Sequence, residues 1–233
     1  MMEQALESPP NKTARIAGMW YLLLTVFSIV GIVFADSRFY VSGDAAATMA
    51  RISADEGLFR LTIACNLAGQ VCQIFVGLTL YRLFKPVDQN QARTLLALVV
   101  AMVPIAFLNM LAKFAPLILG DSSFAKAFDS VQLHSLAMLF LELQQTGIIL
   151  ASVFWGLWLF PLGILVLKSG YFPKVLGVLL FVGGASYLVD SGLAIVFPKV
   201  RTLLAPFTST LSGVGELPFV LWIVIVGVRA NKQ

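Results

Sequence analysis

FWGLWLFPLGILVLKSGYFPKVLGVLLFVGGASYLVD, residues Phe154 to Asp190, is the stretch whose reading decides the fold. Two apolar runs flank a short basic turn containing Lys168, Ser169, Gly170, Tyr171, Pro173 and Lys174. Each arm holds roughly 20 apolar residues, which is what a helix rising ~1.5 Å per residue needs to cross a ~30 Å hydrocarbon core. The pattern predicts a transmembrane hairpin, with its turn at a membrane surface. Gly170 stops one helix and Pro173 starts the next. Lys168 and Lys174 assign that surface to the cytoplasm, where cationic loops accumulate.

The rest of the chain agrees. Hydrophobic residues make up 59% of 233, charged residues 12%, and the mean hydropathy is +0.89. Such a chain has too little polar surface to cover a water-soluble globule. The predicted fold is all-α: six membrane helices in three hairpins. Residues 16–229 form one transmembrane domain between cytoplasmic tails at residues 1–15 and 230–233. The net charge of +4 suits a rim facing anionic lipid. No run of Lys and Arg is interleaved with aromatics, so the lipid bilayer, and not nucleic acid, is the expected partner. Cys65 and Cys72 lie seven apart on one predicted helix. That separates them by about 10 Å, too far for a disulfide.

In chain order, helix one runs from Ile16 to Phe34, and its apolar run is longer than a signal peptide's, so it is expected to be retained. Asp44 caps a short helix through Ala45 to Ile52 that lies along the outer interface. Helix two, from about Leu58 to Leu83, carries Asn66, Gln70, Gln73 and Gly77 on one face, which predicts packing against neighbouring helices rather than lipid. Helix three, from Thr94 to about Leu119, places Asn109 and Lys113 on one face. Snorkelling of Lys113 to the outer interface is set slightly ahead of a buried role. Helix four begins outside the bilayer near Val131. The polar residues His134, Glu142, Gln144 and Gln145 sit at its outer boundary. Helix five, from about Val175 to Phe197, aligns Gly183, Tyr187 and Asp190. Helix six, from about Phe207 to Val228, aligns Ser209, Ser212, Gly213 and Glu216. Pro218 removes a backbone hydrogen bond to Val214, so a kink beside the carboxylate is expected.

Orientation follows from the loops. Lys12, Arg15, Arg82, Lys85, Arg93, Lys168, Lys174, Arg229 and Lys232 fall on one side, nine of the 16 cations. Both termini are therefore expected in the cytoplasm and the chain in the cell (inner) membrane.

Counting ~1.5 Å per residue from the cation of each hairpin puts Gln70 about 18 Å deep, Asn66, Asn109 and Asp190 about 24 Å, and Glu216 about 20 Å. Lys113 lies near 30 Å on the same scale. Charged groups at such depth cost about 2.5–3.5 kcal/mol each on insertion scales, so they face a protein interior or a wet cavity. Asn66, Gln70, Asn109, Lys113, Asp190 and Glu216 are thus the candidate ligand-binding residues, lining one polar chamber in the outer half of the bilayer. His134, Glu142 and Gln145 mark its outer boundary. Lys113 is the expected counter-ion of Asp190 and Glu216.

Several stretches carry a family resemblance. Arg15-Ile16-Ala17-Gly18, Gly43-Asp44-Ala45-Ala46-Ala47-Thr48, Glu56-Gly57-Leu58-Phe59-Arg60 and Leu80-Tyr81-Arg82-Leu83-Phe84-Lys85-Pro86, together with the opening hairpin, resemble bacterial membrane proteins grouped as domain of unknown function 4386. The resemblance covers nearly the whole chain. It implies a multi-pass bacterial membrane protein and brings no established activity or catalytic residues.

The single histidine, His134, excludes zinc-binding His-Glu-x-x-His chemistry, and no metal or cofactor is expected. Ser212 with His134 is a weak serine-histidine pairing. No phosphate-cradling glycine loop is present, since Gly183 and Gly184 lie inside an apolar helix. The leading expectation is binding or transport of a small molecule, ion or lipid. An intramembrane hydrolase using a buried carboxylate and a structural or regulatory membrane partner are the alternatives.

Overall fold

The computed structural model describes residues 10–120 and 128–228. Helix α1 spans Pro10–Phe39, α2 Ala45–Ala54, α3 Glu56–Phe84, α4 Gln89–Leu119, α5 Ser130–Ser169, α6 Lys174–Val196 and α7 Pro198–Ile225. All but α2 are long and apolar enough to cross a membrane, and no strand occurs among the described residues. The chain is a multi-pass membrane protein of six such helices.

The helix starts differ from the sequence reading. Helix α1 begins at Pro10, so Lys12 and Arg15 belong to its exposed face while Ala14 and Ala17 are buried. Residues 1–9, 121–127 and 229–233, which include most of the expected tails and part of the outer connection, lie outside the described residues. Helix α7 begins at Pro198, immediately after Phe197, not near Phe207. A proline in the first turn of a helix forfeits no intrahelical bond.

Contacts divide the chain into two compact units. Of the described residues, one comprises 10–23, 72–102 and 150–228, the other 24–71, 103–120 and 128–149.

In the first unit, small residues let backbones meet. A β-carbon on Gly156 would lie 2.8 Å from the Gly184 carbonyl, and one on Gly163 would lie 3.0 Å from that of Gly177. These two pairs, seven residues apart on both helices, zip α5 to α6. Helices α6 and α7 meet at Gly183 and Gly215. Close backbone approach is the main packing device where lipid is as apolar as leucine. At the α5–α6 turn, Gly170 adopts φ +66°, the left-handed conformation that terminates helices. Lys168 at the end of α5 pairs with Asp88 at 2.7 Å, and Asp88 caps α4 by accepting from the Asn90 and Gln91 amides at 3.1 Å.

In the second unit, Asp44 caps α2 as expected, accepting from the Ala47 amide at 2.8 Å. Thr48 ties α2 back to the preceding turn, accepting from the Val41 amide at 3.0 Å. The buried face of α2, Met49 and Ile52, joins Phe39, Phe59, Ile63, Ala115, Leu119, Ala137 and Leu141 in one apolar cluster. Cys65 and Cys72 are both free thiols.

Candidate functional site

The second unit holds a lysine centre. Residues Ile29–Phe34 of α1 form a π-helical segment, whose i→i+5 bonds make each turn wider than an α-helical turn by about one residue. Such segments shift carbonyls away from the α-helical pattern and recur at functional sites. At its middle lies Gly31, buried, whose carbonyl accepts from Asn66 Nδ2 at 2.7 Å and from Lys113 Nζ at 2.8 Å. Glycine is required there by contact: a β-carbon would stand 2.9 Å from Asn66. Lys113 is 3% exposed, so its ammonium does not snorkel to an interface. The π segment supplies an acceptor in the interior, and the Phe59 ring, with its centroid 5.9 Å from Nζ, adds a cation–π contact.

Lys113 lines a small pocket with Ala35, Phe39, Tyr40, Thr48, Ile52, Phe59, Leu141, Gln144 and Gln145. A water centre can occupy about 20 Å³ of it, room for one or two water molecules. Asn109, the other polar residue on the Lys113 face of α4, donates to the Gln144 carbonyl at 3.0 Å, and Gly147 leaves space for the amide. Asn66 and Gln70 are buried, as the polar face of α3 predicts. Gln145 lines the pocket, His134 is half-buried near the start of α5, and Glu142 is exposed. Tyr40, Thr48 and Phe59 escaped the sequence reading. The Asp44 cap was the available signal for Thr48, since it fixes which face of α2 turns inward.

The first unit holds the two carboxylates, and they are not one group. Asp190 accepts from Arg201 at 3.0 and 3.1 Å and from Thr208 Oγ1 at 2.9 Å. Glu216 accepts from the hydroxyls of Tyr21 and Tyr187, the latter at 3.5 Å. The equal depth expected of them is corrected by the hairpin register. The turn is the single residue Phe197, so Thr208, and not Glu216, stands opposite Asp190. Glu216 is displaced by eight residues, about 12 Å along α7. Counting inward from Lys174 and Arg229 treated those cations as level, whereas the tight turn sets the register. The expected Lys113 counter-ion is likewise replaced by Arg201 for Asp190 and by tyrosine hydroxyls for Glu216. Around Asp190, Ser186 donates to the Thr208 carbonyl at 2.7 Å and Ser191 bonds Ser152 at 2.7 Å, so the buried hydroxyls are satisfied.

The family model described as domain of unknown function 4386 matches residues 16–227. The chain belongs to this family. A member of unknown function was the expectation from Arg15-Ile16-Ala17-Gly18 and the Phe154–Asp190 hairpin, and the match takes in five of the six long helices whole and the first from residue 16 onward. An uncharacterized protein of Archaeoglobus fulgidus is 37% identical over 83 residues, which is 36% of this chain and 48% of the relative. The chain therefore spans about half the length of that relative. No solved structure matches. Among the described residues of this family member, no three His, Cys, Asp or Glu side chains group as a metal site would need.

Proposed function

We propose that the chain is a membrane-embedded binding protein or transporter for a small polar solute or ion, with the pocket beneath α2 as its binding site. The observation that carries this reading is the pocket's lining. Lys113, Gln144, Gln145, Thr48 and Tyr40 line one cavity with Phe39, Phe59 and Leu141. A few convergent polar groups in an otherwise apolar wall are the usual makings of a ligand site. A buried lysine at membrane depth is costly unless the position serves binding or conduction. The pocket is small as it stands, so α2, hinged between Gly43 at φ +76° and Asp55, is the element that moves to admit a larger solute. Under this reading the basic turns face the cytoplasm.

Native mass spectrometry of the purified protein tests it, with Gln145→Leu as the comparison and Lys113→Met as the harsher variant. The expected result is a solute retained by the wild type and lost from folded Gln145→Leu protein. A wild-type protein that retains nothing and gives no solute flux in proteoliposomes overturns the reading. A single cysteine at Gln89 is expected to escape an impermeant thiol reagent in intact cells, and its labelling would reverse the orientation.

A further inference from the structure

Glu216 lies inside the membrane-crossing helix α7, nine residues, about 13 Å, from its end at Ile225. At that depth a half-buried side chain faces protein and lipid rather than bulk water. Its oxygens are met by Tyr21 of α1 and Tyr187 of α6. Further aromatic rings pack on both tyrosines. Trp158 and Phe219 pack on Tyr21 with centroids at 5.6 and 6.3 Å, and Trp155 stands edge-on to Tyr187 at 6.0 Å. Among the described residues, no Lys or Arg forms an ion pair with Glu216.

The neighbouring elements supply no competing charge. Helix α1 brings Tyr21, and its cations Lys12 and Arg15, nine and six residues before it, are exposed. Helix α5 has no ionisable side chain between Glu142 and Lys168. Helix α6 brings Tyr187 and, one turn further, Asp190, which is held by Arg201 and Thr208. Helix α7 has none between Arg201 and Glu216. A carboxyl group in such surroundings has two ways to avoid an uncompensated charge: take up a proton, or hold a cation.

We propose that Glu216, with Tyr21 and Tyr187, is a reversible proton-binding centre within the membrane-crossing part of the chain. The proton comes from solvent and adds to one carboxylate oxygen. Both tyrosines keep their own protons. An ionised carboxylate accepts from both hydroxyls, whereas a neutral carboxyl donates through its own O–H, so one tyrosine turns from donor to acceptor. Proton uptake is thereby written into the reorientation of a tyrosine O–H on a ring that touches tryptophan. This centre stands independently of the pocket beneath α2.

The experiment follows the carboxyl group by its infrared C=O band and the neighbouring rings by tryptophan fluorescence. Wild type, Glu216→Gln, Tyr187→Phe and the control Asp190→Asn are titrated in lipid nanodiscs from mildly acidic to mildly alkaline pH, at low and high sodium. In the wild type a protonated-carboxyl band is expected to vanish as pH rises, with the same half-point as a fluorescence change. Glu216→Gln should abolish both signals and Asp190→Asn should leave them. Tyr187→Phe should keep them but displace the half-point by about tenfold in proton concentration, the effect of one hydrogen bond to a charged group. Signals that persist in Glu216→Gln, or a half-point set by sodium rather than pH, overturn the proposal. Should Glu216→Gln fail to fold, a Tyr187→Phe half-point identical to the wild type overturns it equally.

Discussion

Two glycines on α7, only two residues apart, should respond to the same substitution with opposite sign. At Gly215 an added methyl would stand 2.6 Å from the Gly183 nitrogen and 2.8 Å from the Leu179 carbonyl oxygen. Both are backbone atoms of α6 and cannot rotate away, so the helices must separate by several tenths of an ångström. Overpacking of this kind costs about 1–3 kcal/mol. The gain in helix propensity from glycine to alanine, about 0.5–1 kcal/mol, offsets only part of it. At Gly213 nothing lies within 4 Å of the same methyl, so the propensity gain stands alone. Gly215→Ala should therefore lose roughly 1–2 kcal/mol and Gly213→Ala should gain about 0.5–1. Thermal unfolding of the detergent-purified proteins, followed by circular dichroism beside the wild type, reads both signs. A Gly215→Ala protein that unfolds at or above the wild-type temperature would refute the packing argument, and so would equal losses at the two sites.

Two further outcomes are expected. Gln73 is buried on α3 and its Nε2 has no hydrogen-bond partner among the described residues, so the near-isosteric Gln73→Met should raise stability by about 1 kcal/mol. A lower unfolding temperature would mean that the amide serves a partner. Asp88, between two spans, has its carboxyl held below the usual carboxylate range, first by the hydrogen bond from Lys168 and then by that to the Gln91 amide. A depressed folded-state value stabilises above the unfolded value and is lost as pH falls through the folded one, so the stability gap between wild type and Asp88→Asn should close on acidification and shrink in high salt. A gap that widens towards acid would contradict that assignment.

The sequence carried most of the helices because hydropathy, Gly170 and Pro173 speak locally about where a span must end. The Asp44 cap and the buried amides of α3 were legible for the same reason: a capping side chain and a polar face are local patterns. The π-helical segment at Ile29–Phe34 was not legible, since Ile29, Val30, Ile32, Val33 and Phe34 read as ordinary membrane helix and its need arises only when Asn66 and Lys113 meet Gly31. The partners of Asp190 and Glu216 were missed through register. A one-residue turn shifts one helix against the other by more than any counting from distant cations can detect. Tyr21 gave no signal at all, because a lone tyrosine in an apolar run is compatible with an interfacial anchor as much as with a buried hydrogen-bond donor.

The single-residue turn at Phe197 also bears on how the chain is made. Asp190 and Arg201 are eleven residues apart in sequence and meet across that turn. A carboxylate entering the bilayer alone would resist insertion. Here its cation leaves the ribosome less than a second or two later, at the usual rate of about 5–20 residues per second. The α6–α7 hairpin therefore carries within itself the cation that compensates Asp190. No later helix has to arrive for Asp190 to be tolerated.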